Sequence, residues 1–307
     1  LKMDNKSLQS LILSEKKQRD TVIMAHTYQA PEIIDIADFA GDSYALSLEA
    51  QKCKAKRIII CGVRFMAETA KILSPDKTVI LPVEQSTCPM AEDISPEQVR
   101  EFKKQNPDCC TVAYINTTAR VKAEVDVCVT SSSAVKIVKA LAQDKILFLP
   151  DANLGSYVAK QVPEKEIIIW DGCCPIHNSV TAQDVLEAKA KHPDAVVAVH
   201  PECKKEVVEL ADMVGSTSAI IEYAKAHDGE VIIGTERGVV DYLEVKDQKG
   251  KYHQLCKDKL VCPDMKMTQL KDVYQAVVGQ CGEVIELNEE LRIAAKKSID
   301  NMLKYGG

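Results

Sequence analysis

Several things are missing from this chain of 307 residues, and each absence narrows what it can be. No apolar run approaches the about 20 residues needed to span a bilayer, so a membrane protein is not expected. The opening stretch, LKMDNKSLQSLILSEKKQRD, is charged throughout and lacks the apolar core of a secretory signal, so a cytoplasmic location is expected. Cations are in deficit: 39 Lys and Arg against 45 Asp and Glu give a net charge of −6. That argues against nucleic acid or an anionic membrane as partner, while leaving room for a local cationic pocket. There is no Cys-x-x-Cys, which weakens a zinc ribbon or a thioredoxin-like site. No Gly-x-Gly-x-x-Gly follows an early strand, which counts against a nicotinamide-dependent dehydrogenase.

Cysteine itself is plentiful, at twelve. Without an export signal, a disulfide framework is the weaker reading. Reduced thiols are expected instead, some as small core residues and some as ligands to a soft metal centre. Composition otherwise fits an ordinary folded protein, 46% apolar and 27% charged.

Cys-Pro occurs three times, at Cys88, Cys174 and Cys262, spaced by 86 and 88 residues. The flanks repeat as well. TVIMAHTYQAPEIIDIADFAGDSYALSLEA resembles TVAYINTTARVKAEVDVCVTSSSAVKIVKA and VVAVHPECKKEVVELADMVGSTSAIIEYAKA. Each opens on a β-branched strand, passes a helical stretch and a second short strand, and reaches a hydroxylic cluster that starts another helix. Further strands follow as RIIICGV and TVILPV, KILFLP and EIIIW, EVIIG and a weaker one near YHQLC, before each unit ends on its Cys-Pro. Alternating strands and helices predict an α/β fold of three pseudo-symmetric α/β/α sandwich domains with parallel sheets around a central active site. The domains expected are 1–107, 108–193 and 194–307, with a leading helix near 5–19 and a trailing helix near 284–304.

Ligands of open α/β sheets sit beyond the carboxyl ends of the strands, so each repeat is expected to deliver one cysteine, one helix N-terminus and one polar strand end. Three thiolates on one centre leave a coordination position open, which suits an iron–sulfur cluster or zinc. The hydroxylic clusters hold Ser43, Ser131 and Thr217; they read as helix caps that also present N–H groups to anions. Three of them suggest a ligand with about three anionic groups. The strand ends carry His26 and Tyr28, Tyr114 and Asn116, His200 and Glu202. His200 and Glu202, two apart on an extended chain, share a face and form an acid/base pair. In WDGCCPIH, adjacent thiols make a poor chelate. Register assigns Cys174 to the metal centre, leaves Cys173 as a buried neighbour and turns His177 toward the substrate. His192, His227 and His253 lie in polar contexts and are expected at the surface, and Cys203 is read as structural.

These motifs together, AHTYQ with GDS, TCPMA, AYINTTA, TSSSA, PDANLG, the Trp-x-Gly-x-Cys-x-x-His element, HPEC, GSTSAII, GTE and VCPDMK, resemble the quinolinate synthase family over nearly the whole chain. The resemblance implies a [4Fe–4S] cluster on Cys88, Cys174 and Cys262. It also implies condensation of iminoaspartate with dihydroxyacetone phosphate, releasing phosphate and two waters, with iminoaspartate supplied by an oxidase or dehydrogenase. Active-site residues carried over are His26, Tyr28, Ser43, Tyr114, Asn116, Ser131, His177, His200, Glu202, Ser216 and Thr217. Of these, Tyr28, His177, His200 and Glu202 are expected to be catalytic and the others to bind substrate. The chain departs from the family at Asp171, where Pro is usual, at Cys173, and at Ser133, where Asn is usual. A family Cys-x-x-Cys switch is absent. A second reading is a metal- or cluster-containing binding protein for a dicarboxylate or phosphorylated metabolite.

Overall fold

The apolar runs become strands whose neighbours cover both faces, the pattern of parallel sheets flanked by helices. A computed structural model of the protein describes residues 4–247 and 250–306. The first sheet holds β1 (Thr21–His26), β2 (Phe39–Gly41), β3 (Arg57–Cys61) and β4 (Thr78–Leu81). The second holds β5 (Cys110–Tyr114), β6 (Val127–Val129), β7 (Lys145–Leu149) and β8 (Glu166–Ile169). The third holds β9 (Val196–Val199), β10 (Met213–Val214), β11 (Glu230–Gly234) and β12 (Lys251–Gln254). In all three, the first strand lies between the second and third, and the fourth follows the third. A short β13 (Glu283–Val284) adds to the first sheet, antiparallel to β4.

One polar device recurs in the three sheets. Asp38, Asp126 and Asp212 each accept, through Oδ2 at 2.8 Å, the backbone N–H of a first-strand residue: Ile23, Thr111 and Val197. Their own N–H groups donate to the carbonyls of the same three residues. A lysine from the helix preceding each first strand meets the carboxylate: Lys16 at 2.9 Å, Lys103 at 2.8 Å and Lys189 at 3.4 Å. The staple fixes where the first crossover rejoins the sheet, immediately before the second strand.

The chain is organised in two compact units. One comprises residues up to 88 together with 262–289. Here helix Asn5–Gln18 packs against helix Leu270–Val278, and Arg57 donates to the last carbonyls of that helix, Ala276 and Val277, at 3.1 and 3.0 Å. The trailing helix expected from about 284 does not start there. Gly279 and Gly282 take φ of 78° and 99°, a region that favours glycine, and turn the chain back along the sheet. Glu283 and Val284 then pair with β4, and the buried Ile285 donates its N–H to the Val79 carbonyl at 2.9 Å. Burial and sheet pairing outweigh local helix preference, and the helix begins at Glu289.

The other unit comprises 89–261 and the chain from 290 on. It contains the second and third sheets and most of helix Glu289–Gly306, which buries Ala295, Ile299 and Met302. Ser298 donates to the Lys122 carbonyl at 2.8 Å, and Asn301 to the Asp126 carbonyl at 2.8 Å. The Lys122 ammonium is wholly buried and donates to the carbonyls of Ile115 and Thr117, so it braces the loop that follows β5. No helix among the described residues is long and apolar enough to cross a membrane.

Candidate active site

Each Cys-Pro opens a single helical turn with proline at its first position, where the missing N–H costs nothing. The turns are Pro89–Glu92, Pro175–Asn178 and 263–266, the last closed by Lys266 N–H on the Cys262 carbonyl at 3.2 Å. Each loop is also pinned two residues ahead of its cysteine. The carbonyls of Ser86, Gly172 and Leu260 accept the N–H of Arg64, Ala152 and Arg237, at 2.9, 2.7 and 2.8 Å. All three donors follow the third strand of their sheets, so the repeat extends to the hydrogen bonds that set the cysteines.

Cys88, Cys174 and Cys262 are half-buried, whereas Cys61, Cys109, Cys110, Cys128 and Cys203 lie in the cores. Burial pushes the Cys61 and Cys110 thiols up to about 12 and raises those of Cys128 and Cys203 too, which makes them poor thiolates. Cys203 is structural, its Sγ directed at the Gly234 carbonyl at 3.6 Å. Cys173 is half-buried and not buried as expected, because its loop runs along the surface beside the exposed Asp171. Desolvation and then the Asp151 charge raise its thiol.

In the unit built on the first sheet, His26 ends β1 and its Nδ1 accepts the Tyr28 N–H at 3.1 Å. The two rings meet edge to face, with centroids 4.4 Å apart. The Cys262 turn is tied to this strand end: Gln29 Nε2 donates to the Met265 carbonyl at 2.6 Å, and Lys266 Nζ to the Tyr28 carbonyl at 2.5 Å. Ser86 Oγ donates to the Asp264 carbonyl at 2.9 Å. That bond joins the loop before Cys88 to the turn after Cys262. Ser43 is the first residue of helix Ser43–Lys52, capped by Asp42.

In the other unit, the chemistry gathers on Glu202, whose side chain is 5% exposed. Its Oε2 lies 2.7 Å from His177 Nδ1 and 3.8 Å from His200 Nδ1, and the Tyr114 hydroxyl hydrogen-bonds to it. Burial works to raise the Glu202 carboxyl, but His200 and His177 beside it, with Tyr114, hold it well below the usual carboxylate range. His177 Nδ1 is also 3.3 Å from Cys174 Sγ, and its Nε2 is 2.9 Å from Thr235 Oγ1. An ionised Glu202 claims the Nδ1 proton, so in a neutral His177 Nε2 is the acceptor and Thr235 the donor. His200 Nδ1 accepts the Glu202 N–H at 3.3 Å, the same turn that His26 and Tyr28 make. That leaves the proton of a neutral His200 on Nε2. The His177 and His200 rings stack, centroids 4.9 Å apart.

Four contributors were not singled out from sequence. Asp151, wholly buried at the start of helix Ala152–Gln161, accepts the Leu154 N–H at 2.7 Å and the Cys174 N–H at 3.0 Å. Burial, then the Glu202 charge, push its carboxyl up to about 7. Asn153 donates to the Glu202 carbonyl at 3.0 Å and to Asn178 Oδ1 at 3.1 Å. Thr235 orients His177, and Lys122 braces the loop carrying Asn116. The motifs PDANLG and GTE were the signals available for three of these.

Ser216 and Thr217 are buried at the start of helix Thr217–Ala226, Ser216 capping it through the Ala219 N–H at 3.3 Å. Ser131 differs from its counterparts. In the second repeat the helix starts only at Ala134, because Ser133 Oγ takes the Thr130 N–H at 3.0 Å and prolongs the turn. Ser131 therefore stands in a turn ahead of the helix. Asn116 Oδ1 is buried and has no hydrogen-bond partner among the described residues, an acceptor suited to a ligand's N–H or O–H.

The family described as "NadA: Quinolinate synthetase A protein" matches residues 10–304. Quinolinate synthase of Clostridium kluyveri is 49% identical over 302 residues, 98% of this chain and 99% of that one. The quinolinate synthase of Caldicellulosiruptor bescii is 47% identical over 99% of this chain and 100% of its own. That of Clostridioides difficile is 46% identical over 98% of both. Matched over nearly its whole length at this level, the chain belongs to the quinolinate synthase family and is an enzyme of that kind.

Proposed function

We propose that the protein condenses iminoaspartate with dihydroxyacetone phosphate to quinolinate, releasing phosphate and two waters. In this reading Cys88, Cys174 and Cys262 hold a [4Fe–4S] cluster, and the repeats 1–107, 108–193 and 194–307 act as three domains giving one ligand each. The observation that carries it is the buried Glu202 flanked by His177, His200 and Tyr114 beside Cys174, in a chain of this family.

The residues fit a thiolate-held cluster. The three cysteines are half-buried on pinned turns while the core thiols are held protonated, and the Cys174 N–H bond to Asp151 fixes the turn that presents its sulfur. When bound, the cluster would supply one iron with an open position, a Lewis acid for loss of water.

The chain's own residues do the rest. A carboxyl held this low is a weak base, so Glu202 acts as the fixed anion that steers the His177 proton and keeps the two imidazoles in place for proton transfer. His200, with its proton on Nε2, is a donor, and His177 is kept in one tautomer by Glu202 and Thr235. Tyr28, positioned by His26, moves a second proton during isomerisation and ring closure. Two carboxylates and a phosphate suit Ser43, Ser131, Ser216 and Thr217, with Tyr114 assisting. Asn116 Oδ1 accepts from the substrate nitrogen or a triose hydroxyl. The enzyme works in the cytoplasm downstream of an oxidase or dehydrogenase that makes iminoaspartate.

The test is anaerobic reconstitution with iron and sulfide, then chromatographic detection of quinolinate from the two substrates. Cluster-dependent product formation supports the reading. Binding of both substrates without product overturns it in favour of a binding protein.

A further inference from the structure

A second cluster of ligand-type side chains lies on the third sheet. Helix Ala182–Lys191 ends on His192, β11 begins with Glu230, and β12 carries His253. Glu230 pairs in register with Lys251, and Lys251 and His253 are two apart on one strand, so all three side chains share a face. His192 packs its ring on that of His253, with centroids 3.6 Å apart and planes inclined by 17°. His192 Nδ1 and His253 Nε2 both point at one oxygen, Glu230 Oε2, at 3.4 and 2.9 Å. Lys251 Nζ takes the other oxygen at 3.3 Å. The side chains of His192, Glu230 and His253 are each roughly a third exposed, and the imidazoles border a cleft of about 620 Å³.

We propose that His192, Glu230 and His253 form a site for a divalent cation of the zinc class. The three donor atoms lie within 4.8 Å of one another. A tetrahedral ion with bonds of about 2.0–2.1 Å places its ligands about 3.3 Å apart, and the two nitrogen–oxygen distances bracket that value. Two imidazoles and one carboxylate are a ligand set zinc uses, whereas magnesium and calcium call for oxygen donors throughout. Lys251 leaves Oε2 as the single coordinating oxygen, and the fourth position opens on the cleft. Coordination needs the lone pairs of His192 Nδ1 and His253 Nε2, so the metal takes the place of the hydrogen bond between His253 and Glu230. Three elements far apart in sequence, the helix end and two strands, would be clamped together.

The test is calorimetric titration of cluster-loaded, chelator-treated protein with zinc chloride, anaerobically. One zinc per chain is expected. His192→Ala and His253→Ala should each weaken binding at least tenfold, with His253→Gln as a second variant that keeps polarity at the strand. His227→Ala, at the end of helix Thr217–Ala226, should leave binding unchanged. The unfolding temperature of the parent should rise with zinc, and that of the His192 and His253 variants should not. A parent that takes up no zinc, or variants that bind it as tightly as the parent, would overturn the proposal.

Discussion

Replacing Gly172 by alanine tests how the Cys174 loop is held. A β-carbon at this position would sit 2.5 Å from the Pro150 carbonyl oxygen and 3.2 Å from Asp93 Oδ2. The first contact is 0.9 Å short of the 3.4 Å at which ordinary contact begins, and its partner is backbone that cannot rotate away. Relief requires the loop to lift by a comparable distance. The Ala152 N–H bond to the Gly172 carbonyl, 2.7 Å, and the Cys174 N–H bond to Asp151, 3.0 Å, would both stretch toward breaking. Overpacking costs about 1–3 kcal/mol, and losing a hydrogen bond to a charged or buried group costs about 1–3 kcal/mol more. The sum, about 2–6 kcal/mol, is a large part of a typical stability of about 5–15 kcal/mol. Urea unfolding followed by circular dichroism should show a clearly lower midpoint for Gly172→Ala, and iron uptake on reconstitution should fall. An unchanged midpoint together with unchanged iron content would refute the idea that this close approach positions Cys174.

The aspartate staples predict an order. Asp38→Ala should destabilise more than Asp212→Ala in thermal melts, because it leaves the Lys16 ammonium, 7% exposed, without its carboxylate, while Lys189 is 38% exposed and stays hydrated. Asp126 adds a pH dependence: burial works to raise its carboxyl, but Lys103 and Thr111 outweigh it and hold the carboxyl low. A depressed folded value gives stability that is complete above the unfolded value of about 3.9 and is lost as pH falls through the folded one. The advantage of the parent over Asp126→Asn in urea midpoint should therefore shrink below about pH 4; an advantage that grows with acid would reverse the assignment. Glu202→Gln should lower kcat about 10²–10⁴-fold with the cluster retained, as loss of a group that supports acid–base transfer does, and a variant within a few-fold of the parent would remove Glu202 from the chemistry.

Repetition was the most legible feature. Three Cys-Pro steps at near-equal spacing marked the same strands that the sheets contain, and Arg57–Cys61, Lys145–Leu149 and Glu230–Gly234 read as strands because parallel sheets require unbroken apolar runs. Asp38, Asp126 and Asp212 stood at one register in the three quoted segments, yet a carboxylate just before a strand has no local signature. Asp151 was not singled out: it caps a helix, but its second oxygen serves Cys174, 23 residues away, and no periodicity reports such a bond. Nor was Lys122, because sequence does not show that two loop carbonyls enclose its ammonium. His192 and His253 read as scattered surface residues, since their meeting depends on the end of one helix reaching the edge strand of a sheet. The trailing helix was expected from about 284, but an open edge beside β4 draws 283–284 into the sheet instead.

The central claim, that three cysteines from three repeats hold the cluster, is tested most directly by iron and sulfide analysis of anaerobically reconstituted Cys88→Ser, Cys174→Ser, Cys262→Ser and Cys173→Ser. The account predicts about four irons and four sulfides per chain for the parent and for Cys173→Ser, and loss of the cluster in each of the other three. A full cluster in Cys174→Ser, or its loss in Cys173→Ser, would contradict it.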